Sequence, residues 1–196
     1  IAYGPGRLKE IGKICNDLNI KNPLIVTDKG SPKLPFITNI QSYLTSSNIK
    51  SDLFFDISPN PREDEISVGC KKYKDGNHDA IIAIGGGSAM DGGKMICLTA
   101  NNDVPLRDFE MELTPPKISK DNPFPKIITI PTTAGTGAET EITGMVTYLK
   151  EGMKFCMWHP DVRPSLALID PELTIGLPSN LTAWTGADAL IHGIEG

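Results

Sequence analysis

Three short stretches of this 196-residue chain gather residue types that can do chemistry. The first is Gly85-Gly86-Gly87-Ser88-Ala89-Met90-Asp91, which follows the apolar run 80–84. Glycines let a bulky anion approach the main chain. The free N–H groups of a first helical turn then point at it, with the positive end of the helix dipole behind them, so this junction suits a phosphate. The same residues also suit a plain tight turn before a capped helix, since Ser88 and Asp91 share the spacing of a capping box, with Asp where Glu or Gln is preferred. The loop is neither the Gly-x-Gly-x-x-Gly fingerprint nor a P-loop. The second stretch, Pro131-Thr132-Thr133-Ala134-Gly135-Thr136-Gly137-Ala138-Glu139, follows the run 127–130. Its three hydroxyls stand among small residues and can donate to phosphate or ribose oxygens, or can satisfy their own backbone. The third is Asp188 with His192, four residues apart in a helical stretch and therefore on one face. That spacing serves two ligands of one divalent metal or an ordinary polar contact, because a metal site needs at least three protein ligands.

The elements that must position these residues follow from hydrophobic pattern. Residues 24–28, 51–55, 80–84, 126–130 and 165–170 read as short strands, and the stretches 34–49 and 62–73 between them read as helices. Segments 145–149 and 154–158 flank Lys150-Glu151-Gly152 and read as a hairpin, and 113–125, rich in proline, reads as a surface loop. Apolar runs without alternation imply burial on both faces. The fold class expected is therefore α/β, a Rossmann-like, doubly wound, mostly parallel sheet whose ligands bind beyond the carboxyl ends of the strands. After Pro178 the pattern turns helical, which divides the chain into an α/β domain over 1–178 and the start of an all-helical domain over 179–196.

A formal net charge of −5 and a pI near 5.2 give no electrostatic reason to expect nucleic acid or an anionic membrane as partner. No 18-residue apolar run is present, and the N-terminus has no secretion-signal pattern, so a cytoplasmic protein is expected. Cys15, Cys70, Cys97 and Cys156 lie far apart and read as buried reduced thiols, and His78 and His159 read as surface or packing residues. The chain starts at Ile1 and stops at Gly196 inside a helical pattern, so both ends read as cut.

With its three motifs in this order, the sequence resembles the iron-containing (group III) alcohol dehydrogenase family. Gly85 to Asp91 with Lys94 matches a Gly-Gly-Gly-Ser-x-x-Asp-x-x-Lys motif, and Pro131 to Glu139 matches a Pro-Thr-Thr-x-Gly-Thr-Gly-Ser-Glu motif. Thr185 to Glu195 resembles the metal helix, and Tyr3-Gly-Pro-Gly6, Asn60-Pro61, Lys154 to Pro164 and Asp170 to Thr174 also agree. Departures are Ala89 for a usual Pro, Ala138 for Ser, Ala187 for Met and Gly193 for Ala. The resemblance implies a nicotinamide-dependent oxidoreductase moving a hydride between NAD and a small alcohol or aldehyde, with homo-oligomers open to it.

Resemblance and chemistry together assign Gly86, Gly87 and Ser88 to the pyrophosphate and Thr132, Thr133 and Thr136 to phosphate and ribose. Asp28 would accept from the adenine-ribose hydroxyls and repel a 2′-phosphate, favouring NAD over NADP. Asn60, Lys154 and Asp91 are further cofactor contacts. Asp188 and His192 match half of a one-Asp, three-His set for Fe2+, with Zn2+ in some branches, so residues 1–196 alone should be inactive. No side chain is identified as the proton carrier. The alternatives are a zinc-dependent glycerol dehydrogenase, a dehydroquinate synthase relative, or a non-catalytic nucleotide-binding module.

Overall fold

Three runs of apolar residues set the architecture. β2 (Pro23–Asp28), β4 (Ala80–Gly85) and β5 (Lys126–Pro131) are buried along almost their whole length, so each must be covered on both faces. With β1 (Ala2–Tyr3), β3 (Asp52–Ile57) and β8 (Leu166–Ile169) they form one six-stranded sheet in the computed structural model, which describes residues 1–195. The order is β1-β8-β5-β4-β2-β3, and every neighbouring pair is parallel.

Alternation along each strand divides the core in two. Leu24, Val26, Ile81, Ala83 and Ile127 pack with Ile66 and Tyr73 of α3 (Glu63–Asp75) and with Met90 and Ile96 of α4 (Gly87–Ala100). Ile25, Ile82, Ile84, Ile128 and Ile130 pack on the other face with Ile11 and Cys15 of α1 (Ile11–Asp17) and with Ile37, Ile40 and Leu44 of α2 (Pro35–Ser46). Each large aliphatic side chain taken fully out of water contributes about 1.5–3 kcal/mol, so these faces fix the sheet before any loop is considered. From β2 the chain steps outward to β3 and then returns across β2 to β4. That reversal is a switch point, and the crevice it opens lies beyond Asp28 and Gly85.

An antiparallel ribbon, β6 (Thr143–Tyr148) and β7 (Met153–Trp158), lies against α4 through Val146 and Met157. It is the hairpin expected from sequence, begun two residues earlier. The expected helix 34–49 closes at Ser46, with Asn48 at φ +58, and the expected strand 51–55 runs on to Ile57. β1, α1 and the 3-10 turns Arg7–Glu10, Leu106–Phe109 and Pro171–Thr174 were not anticipated, because each is too short to show a period. α5 (Ser179–Glu195) has no buried residue, and Gly196 lies outside the described residues. No described helix is long and apolar enough to cross a membrane. Cys15 and Cys97 are buried, the Cys15 thiol pushed up to about 12 by burial, but Cys70 and Cys156 are only half-buried, which corrects the expectation for that pair. His78 and His159 are packing residues.

Candidate functional site

The β4–α4 junction separates two kinds of glycine. Gly85 has φ +146, and a Cβ there would stand 2.7 Å from the Ala89 Cβ, so backbone and packing both require it. Gly92 and Gly93 let α4 settle on the sheet, since a Cβ at Gly93 would lie 2.6 Å from the Ala83 Cβ. Gly86 and Gly87 differ. Neither has a positive φ, and a Cβ at either would meet only ordinary contacts, 3.6 Å to Thr133 and 3.5 Å to Thr136. Among the described residues, neither a steric contact nor a backbone angle demands that they be bare.

Gly86 is the N-cap of α4, and no side chain caps it. The first bonds of the helix run from the Ala89 and Met90 amides to Gly86 O, at 3.0 and 3.2 Å, which leaves the Gly87 and Ser88 amides ahead of them. The capping-box alternative for Ser88 is not realised: its Oγ accepts from the Asn60 amide at 3.4 Å. The threonine loop closes over this junction. The Thr132 amide donates to Gly85 O at 2.8 Å, while Thr133 and Thr136 stand beside Gly86 and Gly87. Beneath it, the fully buried Lys94 donates to Ala138 O at 3.0 Å, and Asp91 accepts from the Met145 amide at 3.2 Å. Burial pushes the Asp91 carboxyl up and the Lys94 ammonium down, and their 3.5 Å separation partly offsets both.

Two clefts lie at this end of the sheet, one walled by Asp28 and Thr132 and the other by Gly87 and Ser88. The larger, about 690 Å³, has Asp28 and Thr132 in its wall with Tyr43, Leu173, Leu177 and Leu181. Asp28 accepts from the Gly30 amide at 2.9 Å and the Ser31 hydroxyl at 2.8 Å, which leaves acceptor positions free on both oxygens. The smaller, about 340 Å³, is lined by Asn60, Gly87, Ser88, Asp91, Thr136 and Lys154, together with Glu141. Asn60 sits at φ +62 and accepts a hydrogen bond from Lys154, joining the β3–α3 loop to the ribbon. The ten residues expected at a nucleotide are thus brought to one end of the sheet.

Asp188 and His192 line neither cleft. They lie on α5 with Oδ2 and Nε2 3.7 Å apart and both side chains about half exposed, and no third metal-ligating side chain joins them among the described residues. The threonine loop does approach α5, because a Cβ at Gly135 would stand 2.1 Å from Thr185 O. Sequence reading gave no site role to Tyr43, Leu177 and Leu181, which carry no local signal and reach the cleft from opposite walls, nor to Leu173, noted only within the matching stretch Asp170 to Thr174. It also gave no role to Glu65, whose only sign was a carboxylate in the first turn of α3, or to Asp170, noted only at the head of that matching stretch, which is buried and accepts from the Gly6, Leu8 and Glu172 amides at 2.9, 2.9 and 3.0 Å.

Comparison with known proteins gives this chain close relatives in sequence and in fold. The chain is 35% identical over 195 residues to a choline dehydrogenase of Bacillus subtilis, covering all of this chain and 48% of that protein. Among solved structures it matches a 1,3-propanediol oxidoreductase with TM-score 0.91 and 33% identity, over 98% of this chain and 49% of the other. It matches a sulfoacetaldehyde reductase from Bifidobacterium kashiwanohense, solved in complex with NAD+, with TM-score 0.87 and 31% identity, over 99% of this chain and 50% of the other. The chain spans about half the length of the curated relatives it matches. A family model described as iron-containing alcohol dehydrogenase covers residues 1–171, and with the glycine and threonine loops meeting at one sheet end this shows that the chain belongs to the iron-containing alcohol dehydrogenase family.

Proposed function

We propose that this chain is the nucleotide-binding part of an oxidoreductase that moves a hydride between NAD and a small alcohol or aldehyde. The observation that carries it is the pair Gly86 and Gly87, bare although neither a steric contact nor a backbone angle requires it, at a helix N-terminus that no side chain caps and that borders the smaller cleft. A pyrophosphate is the group that needs such a place: the Gly87 and Ser88 amides donate to it, and Thr133 and Thr136 stand where their hydroxyls can do the same. The adenosine lies in the larger cleft, its base against Leu173, Leu177 and Leu181 and its ribose hydroxyls on Asp28. The nicotinamide half lies toward the smaller cleft, where Asn60, Lys154 and Asp91 provide polar contacts.

The relatives support the chemistry by their names, which specify choline, 1,3-propanediol and sulfoacetaldehyde as substrates and NAD+ as a bound cofactor. Asp188 and His192 fit part of a site for iron, the metal in the family's name: one carboxylate oxygen and one imidazole nitrogen face each other on a helix whose second turn touches the threonine loop. Two protein ligands do not close a metal site, so the rest come from outside residues 1–195. Zinc suits the same donors. When bound, NAD supplies the hydride-accepting ring and the metal supplies Lewis-acid polarisation of the substrate oxygen. Residues 1–178 then form the cofactor unit, and the segment from 179 begins the metal-bearing helical part.

The test is calorimetric titration of NAD into Gly86→Val. A Cβ there has room within the protein, whereas the branched side chain would fill the space a pyrophosphate needs, so we expect at least a tenfold loss of affinity in a variant that still unfolds cooperatively, its midpoint lowered only slightly by the poorer N-cap. Wild-type affinity in the folded variant would reduce the loop to a turn and remove this reading.

A further inference from the structure

Resting on that placement of the adenosine, we infer that Glu65 is a specificity-determining residue: it keeps the cofactor choice on NAD by holding Lys29 out of the adenosine cleft. Asp28 and Gly30 both line the cleft, but Lys29 between them does not. The Lys29 amide donates to Ile57 O of the neighbouring strand at 2.9 Å, and its ammonium turns the same way, 2.7 Å from Glu65 Oε1 and 2.8 Å from Ser58 Oγ. Glu65 is itself fixed. It is only 5% exposed, its Oε1 accepts from the Ser58 hydroxyl, and its Oε2 accepts from the Ser58 and Arg62 amides at 3.1 and 3.3 Å. A carboxylate with that many donors does not follow a moving lysine, so the lysine is the partner held in place.

The charges left in the cleft wall are Lys9, Asp28, Asp170 and Glu172, one cation against three carboxylates. A free ribose 2′-hydroxyl meets Asp28 as a donor, whereas a 2′-phosphate would enter an acidic wall while the Lys29 ammonium is held by Glu65 and Ser58. Lysine is a flexible point charge on a four-carbon stem, attached here one residue from the proposed ribose contact. Released, it can swing toward a 2′-phosphate. Glu65 thus acts through Lys29 and touches no cofactor atom.

Calorimetric titration with ADP-ribose and with its 2′-phosphate tests this without any metal or turnover. Glu65→Ala is expected to raise the affinity for the 2′-phosphate relative to ADP-ribose by about threefold to tenfold, and Glu65→Ala/Lys29→Met to return the ratio to that of the unaltered protein. Should Glu65→Ala fail to fold, Glu65→Gln and its Lys29→Met double variant take its place, with at least a twofold rise expected. An unchanged ratio in a folded Glu65 variant overturns the inference, and so does a rise that survives loss of Lys29. Asp28→Gly separates this from the reading beneath it. If Asp28→Gly leaves the ratio unmoved, the ribose placement is wrong and the inference falls with it. If Asp28→Gly moves the ratio and the Glu65 variants do not, the inference alone is wrong.

Discussion

Helices α4 and α5 both touch the threonine loop, yet α4 buries ten of its fourteen residues and α5 none of its seventeen. α4 is held by what lies beneath it. Its glycines at 92 and 93 remove side chains that would stand off Ile57 and Ala83, so the helix sits close enough to aim its first amides across the end of β4. In α5, Trp184, Leu190 and Ile194 are each more than 60% exposed, and a Cβ at Gly186 or Gly193 would meet nothing. The position of α4 is therefore dictated within these residues, whereas the apolar surface of α5 has no partner among them.

The same substitution should weaken the whole fold in α4 and act only locally in α5. Gly93→Ala places a methyl 2.6 Å from the Ala83 Cβ, where both groups belong to fixed elements, so we expect a loss of about 1–3 kcal/mol by urea unfolding. A neutral result would mean that α4 can lift from the sheet without penalty, and the account of its close seating would be wrong.

A smaller effect comes from the ties between the loops around α4. Burial alone would push the Glu65 carboxyl up, but hydrogen bonds from Lys29, Ser58 and Arg62 more than reverse this, and it lies below the ordinary glutamate value. A carboxyl depressed in the folded state contributes stability that is complete above its unfolded pKa, near 4.3, and is lost as pH falls through the folded value. Unfolding midpoints measured from pH 7 down to pH 3 should drop less steeply in Glu65→Gln than in the unaltered protein. Equal slopes would show that Glu65 does not sense the folded state. His192 and Asp188 on α5, both half exposed, give no comparable anchor.

This contrast also explains what could be read from the sequence. β2, β4 and β5 were legible because burial on both faces leaves an uninterrupted apolar run, and the glycine and threonine loops because each follows such a run directly. Four glycines around β4 and α4 looked alike as letters, but Gly85 and Gly93 answer to packing while Gly86 and Gly87 do not, a distinction that exists only in three dimensions. Lys94 was visible as part of a motif, yet its complete burial and its bond to Ala138 O depend on a loop 44 residues away. Leu173, Leu177 and Leu181 face a cleft whose other wall comes from α2, and no spacing along the chain signals that. The Asp188–His192 pair was legible as spacing alone, and the described residues add position without adding a third ligand.

The smallest effect provides the other half of the comparison. Gly193 lies in the last turns of α5, where a Cβ would find open space. Glycine there lowers helix propensity by about 0.5–1 kcal/mol relative to alanine without any packing gain to offset it. Gly193→Ala should therefore strengthen α5 locally, slowing amide hydrogen exchange in residues 186–195 by about twofold to fivefold. Because α5 buries none of its side chains, that gain should not couple to the sheet, and the urea midpoint of the whole chain should stay unchanged. Exchange and midpoint are independent readouts. Slower exchange with a fixed midpoint is the signature of a helix that stands apart from the core, while a midpoint that falls as it does for Gly93→Ala would mean that α5 is seated as tightly as α4, and the contrast drawn between the two helices would collapse.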